Sequence, residues 1–248
     1  MVNPIVSVII PAYNCCKYID KAINSVLDQR VPCEIIVIDD CSQDNLEQSI
    51  RKYSEMNNIF YYKNDRNIGV AATRNKGVVV AKGKYIAFLD ADDWWAPDKL
   101  DKQIKFMQDK ECIISYTARE LYDEEGYTTG KIIHVEKETN YTKLLHHNCI
   151  ACSSVVILRR VAIECPMKHS EIHEDYLTWL TILERYGTAY GIDEPLLKYR
   201  LTQSGKSRNK LKSVRMTYGV YKKLEINNFK AFVYTCSHVV HGIKKYYI

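Results

Sequence analysis

Short runs of aliphatic and β-branched residues alternate with stretches of helical periodicity through the first half of the chain, and this alternation constrains the fold most. Strand-like runs lie at 6–10, 34–38, 59–62, 85–89 and 112–116. Between them, apolar residues recur every three or four positions, as in 17–29 and 70–80. Regular alternation of strands and helices is typical of a sheet with helices on both faces. The sequence therefore predicts an α/β fold with a Rossmann-like, mostly parallel central sheet flanked by helices.

The regular alternation ends near residue 116. Beyond it, the pattern predicts a hairpin or loop over 120–133. It then predicts helices at 141–147 and 174–186 and short strands at 154–158, 188–192 and 196–201. Two helices, at about 209–226 and 229–245, are predicted to close the chain. Because no internal repeat and no Pro/Gly-rich linker separates the two halves, we expect them to be fused around one site.

The charge of the chain is distributed unevenly. From Leu196 onward there are twelve Lys or Arg residues and one acidic residue, Glu225. Residues 196–248 therefore carry a net charge of +11. Residues 1–195 carry −6, and the two together give the total of +5. A basic tail on an acidic body suits a phosphate-bearing partner or an anionic membrane surface, and it is equally typical of a solvated helical face. We expect no nucleic acid partner.

Composition also bears on the cellular compartment. No apolar stretch of 18 residues is present, so the sequence predicts no membrane-spanning helix. The amino-terminal MVNPIVSVII has neither a basic region nor a small-residue cleavage site ahead of its first strand. The nine cysteines are odd in number and lack the spacing of a disulfide framework. We therefore expect a cytoplasmic protein, with peripheral association at the inner face of the membrane as the alternative that the basic tail offers.

An unusual acidic cluster follows the fourth strand-like run. In FLDADDWW, Asp90, Asp92 and Asp93 occupy three of four successive positions. Two like charges 4 Å apart near a protein surface repel each other by about 4 kcal/mol. A chain that gathers carboxylates so closely is therefore expected to bind a cation there.

Other polar or aromatic residues also follow predicted strands. Tyr13 and Asn14 come after the first strand, Asp39 and Asp40 after the second, and Asp65 after the third. Ligands of open parallel sheets bind beyond the carboxyl ends of the strands, so these residues outline a cleft. Neither a P-loop nor a dinucleotide-binding glycine fingerprint is present. A diphosphate in this cleft would therefore rely on a divalent cation held by carboxylates.

Four segments in order, VSVIIPAYN, IIVIDDCSQD, NIGVAATRNKG and YIAFLDADD, resemble successive blocks of the family 2 glycosyltransferases, which have the GT-A fold. The resemblance covers about residues 5–100 and continues more weakly through HED at 173–175. It implies a nucleotide-sugar-binding half at 1–116, and an acceptor-binding and catalytic-base half of the same domain at 117–207. A basic C-terminal helical tail follows at 208–248.

The resemblance implies nucleotide-binding roles in the first three blocks. The turn of Pro11, Ala12 and Tyr13 would hold the base, with Tyr13 stacked on it. Asp40 would accept the hydrogen of uracil N3, which favours a uridine or thymidine nucleotide. Arg74 would lie near the diphosphate or near the carboxylate of Asp40.

The fourth block carries the D-x-D pattern of the family. Asp90 and the neighbouring Ala91 would contact the nucleotide. Asp92 would be the direct ligand of Mn²⁺ or Mg²⁺, and Asp93 would contact the donor sugar.

The weaker match at HED implies the catalytic base. Asp175 would take the proton of the acceptor hydroxyl, and Glu174 is the alternative base. The same two carboxylates could instead lie in the first turn of a helix and complement its dipole. The sequence leaves both interpretations open.

The activity implied by the resemblance is a metal-dependent, inverting transfer from a UDP-sugar to a saccharide or a polyprenyl-diphosphate-linked saccharide, in surface-polysaccharide assembly. Such a displacement needs a cation and a base but no enzyme nucleophile. One alternative is a non-catalytic homologue that binds a nucleotide sugar. The other is an aspartyl phosphatase of the D-x-D type, although that class carries its D-x-D on the first strand.

Overall fold

The computed structural model describes residues 3–202 and 209–247. Its strands are β1 (Val6–Ala12), β2 (Cys33–Asp39), β3 (Ile59–Lys63), β4 (Tyr85–Phe88), β5 (Trp94–Trp95), β6 (Ile114–Tyr122), β7 (Thr128–Ile133), β8 (Glu138–Asn140), β9 (Val156–Leu158) and β10 (Thr188–Arg200). Its α-helices are α1 (Ile19–Leu27), α2 (Leu46–Arg51), α3 (Val70–Val80), α4 (Lys99–Asp109), α5 (Tyr141–His146), α6 (Arg159–Glu164), α7 (Glu174–Tyr186), α8 (Lys210–Lys223) and α9 (Asn228–Tyr247). A short 3₁₀ helix spans Cys152–Ser154.

The strands of the described residues form one continuous sheet in the order β3-β2-β1-β4-β9-β6-β10-β5, with β7 beside β6 and β8 beside β10. β1 pairs in parallel with β2 and β4, β2 with β3, and β6 with β10. β9 is antiparallel to both β4 and β6, so β6 runs in the same direction as β1 to β4, and so does its parallel partner β10. The predicted α/β fold with a mostly parallel sheet is confirmed, and its one sheet spans both halves of the chain.

Each face of the sheet is covered by helices because the central strands are apolar on both sides. On β1, the side chains of Val8 and Ile10 pack with α1 and α4, whereas Ile9 packs on the opposite face with residues of α3 and α7. This alternation is the period of two that a pleated strand imposes. In a sheet that is buried on both faces, the polar side chains that can bind a ligand lie at the ends of the strands.

The second half departs from its predicted pattern at β10. Two strands were expected at 188–192 and 196–201, but a single strand runs over Thr188–Arg200 with a register shift between Ile192 and Leu197. Pro195 lies inside this shift, and proline lacks the N–H that a regular ladder requires. The hairpin expected over 120–133 forms from β6 and β7. The predicted boundary between residues 207 and 208 lies outside the described residues.

None of the helices in the described ranges combines the length and the apolar character that crossing a bilayer requires.

Candidate active site

The turns that follow β1 and β2 are joined to each other. Asn14 has a left-handed backbone (φ 48°), a conformation that asparagine tolerates better than most residues. Its N–H donates to Ser42 Oγ at 3.0 Å, and its side-chain Oδ1 accepts from Gln43 N at 2.8 Å. Ala12 is buried at the end of β1, whereas Tyr13 is half exposed and faces solvent beside this turn. Pro11 is partly buried. The exposed ring of Tyr13 is therefore accessible to a ligand at this edge of the sheet.

Asp40 holds the loop that precedes α3. Its Oδ1 accepts hydrogen bonds from Asn64 Nδ2 at 2.9 Å and Ile68 N at 2.8 Å. Its Oδ2 accepts from Gly69 N at 2.9 Å. Gly69 has φ 84°, and a Cβ there would lie 2.9 Å from Ser170 Oγ, so the loop needs glycine at this position. The carboxylate of Asp40 therefore orders the loop, and its contact with a uracil base stays a prediction.

Helix α3 packs closely on β1 and carries Arg74 to the centre of the site. Gly77 allows this approach, because a Cβ there would lie 2.6 Å from Ile9 Cγ2. One turn earlier, the buried Arg74 donates from Nη2 to Asp90 Oδ1 at 2.6 Å and from Nη1 to Glu174 Oε1 at 2.9 Å. Arg74 thus pairs with these two carboxylates and not with Asp40. One guanidinium joins the D-x-D loop to the first turn of α7, where Glu174 lies 100 residues after Arg74 in the chain.

The D-x-D loop bends back on itself directly after β4. Asp90 N donates to Ser153 Oγ at 3.1 Å, which anchors the loop on the 3₁₀ helix. Asp93 points inward and is only 2% exposed, and its Oδ1 accepts from Arg200 N at 3.0 Å. Burial, and then the charges of Asp92 and Asp90, raise the pKa of Asp93 well above its ordinary value. The loop turns this carboxylate into the protein, and its contact with the donor sugar stays a prediction. Ala91 is buried in the same turn.

The carboxylate of Asp92 accepts a longer hydrogen bond from the described residues than those of Asp90 and Asp93 do. Its Oδ2 accepts from Thr202 Oγ1 at the long distance of 3.4 Å. Burial, together with repulsion from Asp90, raises the pKa of Asp92 to about 6. Carboxylate oxygens are the ligands that hard divalent cations prefer. An ionised carboxylate with little compensation therefore fits a cation, although no group of three or more potential metal ligands occurs among residues 3–202 and 209–247.

Arg200, at the end of β10, supports the D-x-D loop and was missed by the sequence reasoning. Its Nε donates to the carbonyl oxygen of Asp92 at 2.9 Å, and its Nη1 donates to that of Glu124 at 2.7 Å. The guanidinium lies 4.8 Å from the ring centroid of Tyr18 and 4.9 Å from that of Trp94. No local motif marks this arginine, because its partner Asp92 lies 108 residues earlier.

The first turn of α7 presents two carboxylates in different environments. Glu174 is buried against Arg74, whereas Asp175 is partly exposed. Burial, followed by the neighbouring Glu174, raises the pKa of Asp175 above its ordinary value. His173, the residue before the helix, lies with Nε2 at 3.1 Å from Ser213 Oγ on α8. A partly exposed carboxylate with a raised pKa is suited to accept a proton from an acceptor hydroxyl.

The family of the chain follows from comparison with known proteins. Residues 7–165 match the glycosyl transferase family 2. The chain belongs to this family. A putative teichuronic acid biosynthesis glycosyltransferase of Bacillus subtilis, TuaG, is 38% identical over 229 residues, which are 92% of this chain and 91% of that protein. The Escherichia coli enzyme WfgD, named a UDP-Glc:alpha-D-GlcNAc-diphosphoundecaprenol beta-1,3-glucosyltransferase, is 34% identical over 98% of this chain and 95% of its own length.

Solved structures show the same fold at low sequence identity. S. aureus TarS 1-349 in complex with UDP-GlcNAc superposes with a TM-score of 0.73 at 17% identity, over 96% of this chain and 72% of that one. The mannosyltransferase PcManGT from Pyrobaculum calidifontis, in complex with GDP-Man and Mn²⁺, gives a TM-score of 0.73 at 16% identity, over 96% and 70%. The predicted GT-A fold and the predicted glycosyltransferase class are confirmed. Membership of this family leaves no support for the phosphatase alternative.

Proposed function

We propose that this glycosyltransferase moves a sugar from a UDP-sugar, with inversion and with the help of Mn²⁺ or Mg²⁺, to a saccharide or polyprenyl-diphosphate-linked saccharide. This transfer would be a step in surface-polysaccharide assembly, at the cytoplasmic face of the membrane. The names of the relatives support this choice, because E. coli WfgD is named for transfer from UDP-Glc to a diphosphoundecaprenol-linked GlcNAc and the B. subtilis protein is named for teichuronic acid biosynthesis.

The observation that carries the proposal is the double ion pair of Arg74. It brings Asp90 of the D-x-D loop and Glu174 of α7 to one guanidinium, with N–O distances of 2.6 and 2.9 Å. Asp175 is the next residue along the helix, so a donor bound at the loop and an acceptor beside Asp175 would lie in one cleft. A transferase needs this proximity of leaving group and base, whereas a module that only binds nucleotide sugars does not.

Each residue would contribute a separate function to the displacement. Asp92 would hold the cation, which when bound would stabilise the negative charge on the departing nucleoside diphosphate. Arg74 keeps Asp90 and Glu174 paired, so that the neighbouring Asp175 is the carboxylate free to act. Asp175 would accept the proton of the acceptor hydroxyl as that oxygen attacks the anomeric carbon. Tyr13 would stack on the base at the open edge of the cleft.

The test measures UDP release from a panel of UDP-sugars, with and without a GlcNAc-diphospholipid acceptor, in the presence of Mn²⁺ or Mg²⁺. We expect acceptor-dependent release by the wild type. Asp175→Asn should lower transfer by about 10²–10⁴-fold and leave UDP affinity unchanged, because it removes only the base. Asp193→Asn, at an exposed position on β10, is the matched control and should keep full activity.

Three other outcomes would contradict parts of the proposal. UDP-sugar binding without turnover, for any sugar or acceptor of the panel, would favour the non-catalytic homologue. Near-normal transfer by Asp175→Asn would move the base elsewhere, with Glu174→Gln as the next variant to measure. Full activity in the presence of a chelator would refute the dependence on metal.

A further inference from the structure

The last helix, α9, has one face packed on the protein and an opposite face that is apolar and exposed. Ala231 and Thr235 are buried. Tyr234 lies 5.7 Å from the ring of Tyr221, and His238 lies 5.5 Å from that of Tyr176. These contacts attach α9 to α7 and α8.

The exposed apolar residues of α9 form a continuous stripe. Phe229 and Phe232 are 77% and 63% exposed, and Val233, Val240 and Ile243 are 42%, 50% and 51% exposed. Successive residues of an α-helix are rotated by about 100°, so these five fall within an arc of about 100° on the side opposite Ala231 and Thr235. Large apolar side chains concentrated on one solvent-facing stripe mark an interaction surface rather than scattered exposure.

The charges beside the stripe favour one kind of partner. Lys230 and Lys244 are exposed on its flank, and no acidic residue occurs anywhere in 226–248. A second copy of the chain would bring lysines against lysines across a self-complementary interface. An anionic lipid surface instead offers opposite charge to the lysines and an acyl boundary to the phenylalanines, which is the pattern of helices that lie in the membrane interface.

We propose that the stripe of Phe229, Phe232, Val233, Val240 and Ile243 docks the protein on an anionic bilayer, with α9 lying parallel to the membrane plane. α8 joins this surface to the active site, because Ser213 contacts His173 immediately before Glu174 and Asp175. A lipid-linked acceptor would then meet the enzyme at the membrane surface, and this last step alone rests on the proposed function.

The test is vesicle flotation, which needs no catalysis. Wild-type protein is mixed with vesicles of phosphatidylglycerol and phosphatidylcholine, or of phosphatidylcholine alone. We expect binding to the anionic vesicles and at least about tenfold weaker binding by the double variant Phe229→Gln/Phe232→Gln. The double variant Val79→Gln/Tyr127→Gln removes two apolar side chains that are each 73% exposed elsewhere, and it should bind as the wild type does.

A second pair of substitutions tests the charges. Lys230→Gln/Lys244→Gln should weaken binding to the anionic vesicles by about fivefold per lysine and leave binding to phosphatidylcholine unchanged. Circular dichroism checks that each variant is folded.

Two results would overturn the docking proposal. One is a wild type that does not float with anionic vesicles, or that floats equally well after the phenylalanine substitutions. The other is a wild-type dimer in light scattering that dissociates in the phenylalanine variant without any vesicle binding, which would make the stripe an interface between copies. Flotation by a protein that transfers no sugar would leave the docking surface standing and refute only the proposed activity.

Discussion

The two strands that flank β1, β2 and β4, both lead into aspartates, but the protein places the two sets in different environments. At the end of β2, Asp39 accepts hydrogen bonds from Ser42 N and Tyr61 Oη, each at 2.7 Å, and Asp40 accepts three more. After β4, the Asp92 carboxylate accepts one long hydrogen bond from the other side chains of the described residues, that of Thr202, and burial, followed by repulsion from Asp90, raises its pKa.

The difference separates carboxylates that the described residues compensate from Asp92, which we propose a cation would compensate. Buried charges are tolerated when hydrogen bonds or ion pairs compensate them, as they do at Asp39 and Asp40. Asp92 keeps an electrostatic cost that the folded protein does not remove. A retained cost of this kind is characteristic of functional sites, because a bound cation can cancel it.

The largest expected effect is on activity at Asp92. Asp92→Asn should lower transfer by about 10³-fold, since the proposed cation would contribute several kcal/mol of stabilisation to the leaving group. It should also abolish the Mn²⁺ dependence of UDP binding. Thermal unfolding of the metal-free variant should occur at the wild-type temperature or above it, because a repulsive charge has been removed. Asp98→Asn, at an exposed carboxylate paired with Lys102, is the control and should keep full activity. Unchanged UDP affinity in Asp92→Asn, with its metal dependence intact, would refute the metal role.

The next effect concerns the ion pairs that join the two halves. Arg74→Met should lower the free energy of unfolding by about 3–5 kcal/mol, because it leaves the buried Glu174 without its cation. Arg51→Met breaks an exposed pair with Glu47 and should cost at most about 1 kcal/mol. Adding Glu174→Gln to Arg74→Met should recover part of the loss in urea unfolding. No recovery would mean that the pair does not carry the stability.

A smaller loss of stability is expected at the structural carboxylates. Asp39→Asn should lower the free energy of unfolding by about 1.5–3 kcal/mol, because charge-assisted hydrogen bonds from Ser42 N and Tyr61 are weakened. This is the opposite sign from that expected for Asp92→Asn. Urea unfolding of both variants without metal measures the contrast. Equal destabilisation by the two substitutions would remove the distinction between the two strand ends.

The smallest effect is the pH dependence of that contrast. The pKa of Asp92 is raised from an ordinary value of 3.8 to about 6 in the folded protein, so the folded state binds the proton more tightly than the unfolded state does. The ionised form of Asp92 therefore lowers stability above pH 6, and this cost disappears as the pH falls through 6 toward 4. The stability advantage of Asp92→Asn should be largest near pH 7.5 and shrink by pH 5. A difference that does not vary with pH would show that the pKa of Asp92 is not raised in the metal-free protein.

Local sequence was sufficient for the strand ends but not for their environments. The four blocks around Pro11, Asp40, Arg74 and Asp92 follow from adjacent residues, and their strands and helices form as expected. Asp93 shows the limit of local sequence, because D-A-D-D does not indicate whether the turn directs its last carboxylate inward or toward solvent. Its buried position depends on distant residues such as Arg200, whose N–H donates to it from 107 residues later in the chain.

The sequence by itself determined the α/β class, the positions of the first strands along the chain and the family, because periodicity and short motifs are encoded by neighbouring residues. The tertiary structure alone decided which carboxylates are compensated, that Arg74 joins Asp90 to Glu174, and that α9 keeps an apolar stripe in solvent. These features depend on pairs of residues up to 110 positions apart and on which face of each element is covered. Side-chain environment is a property of packing, and no local pattern encodes it.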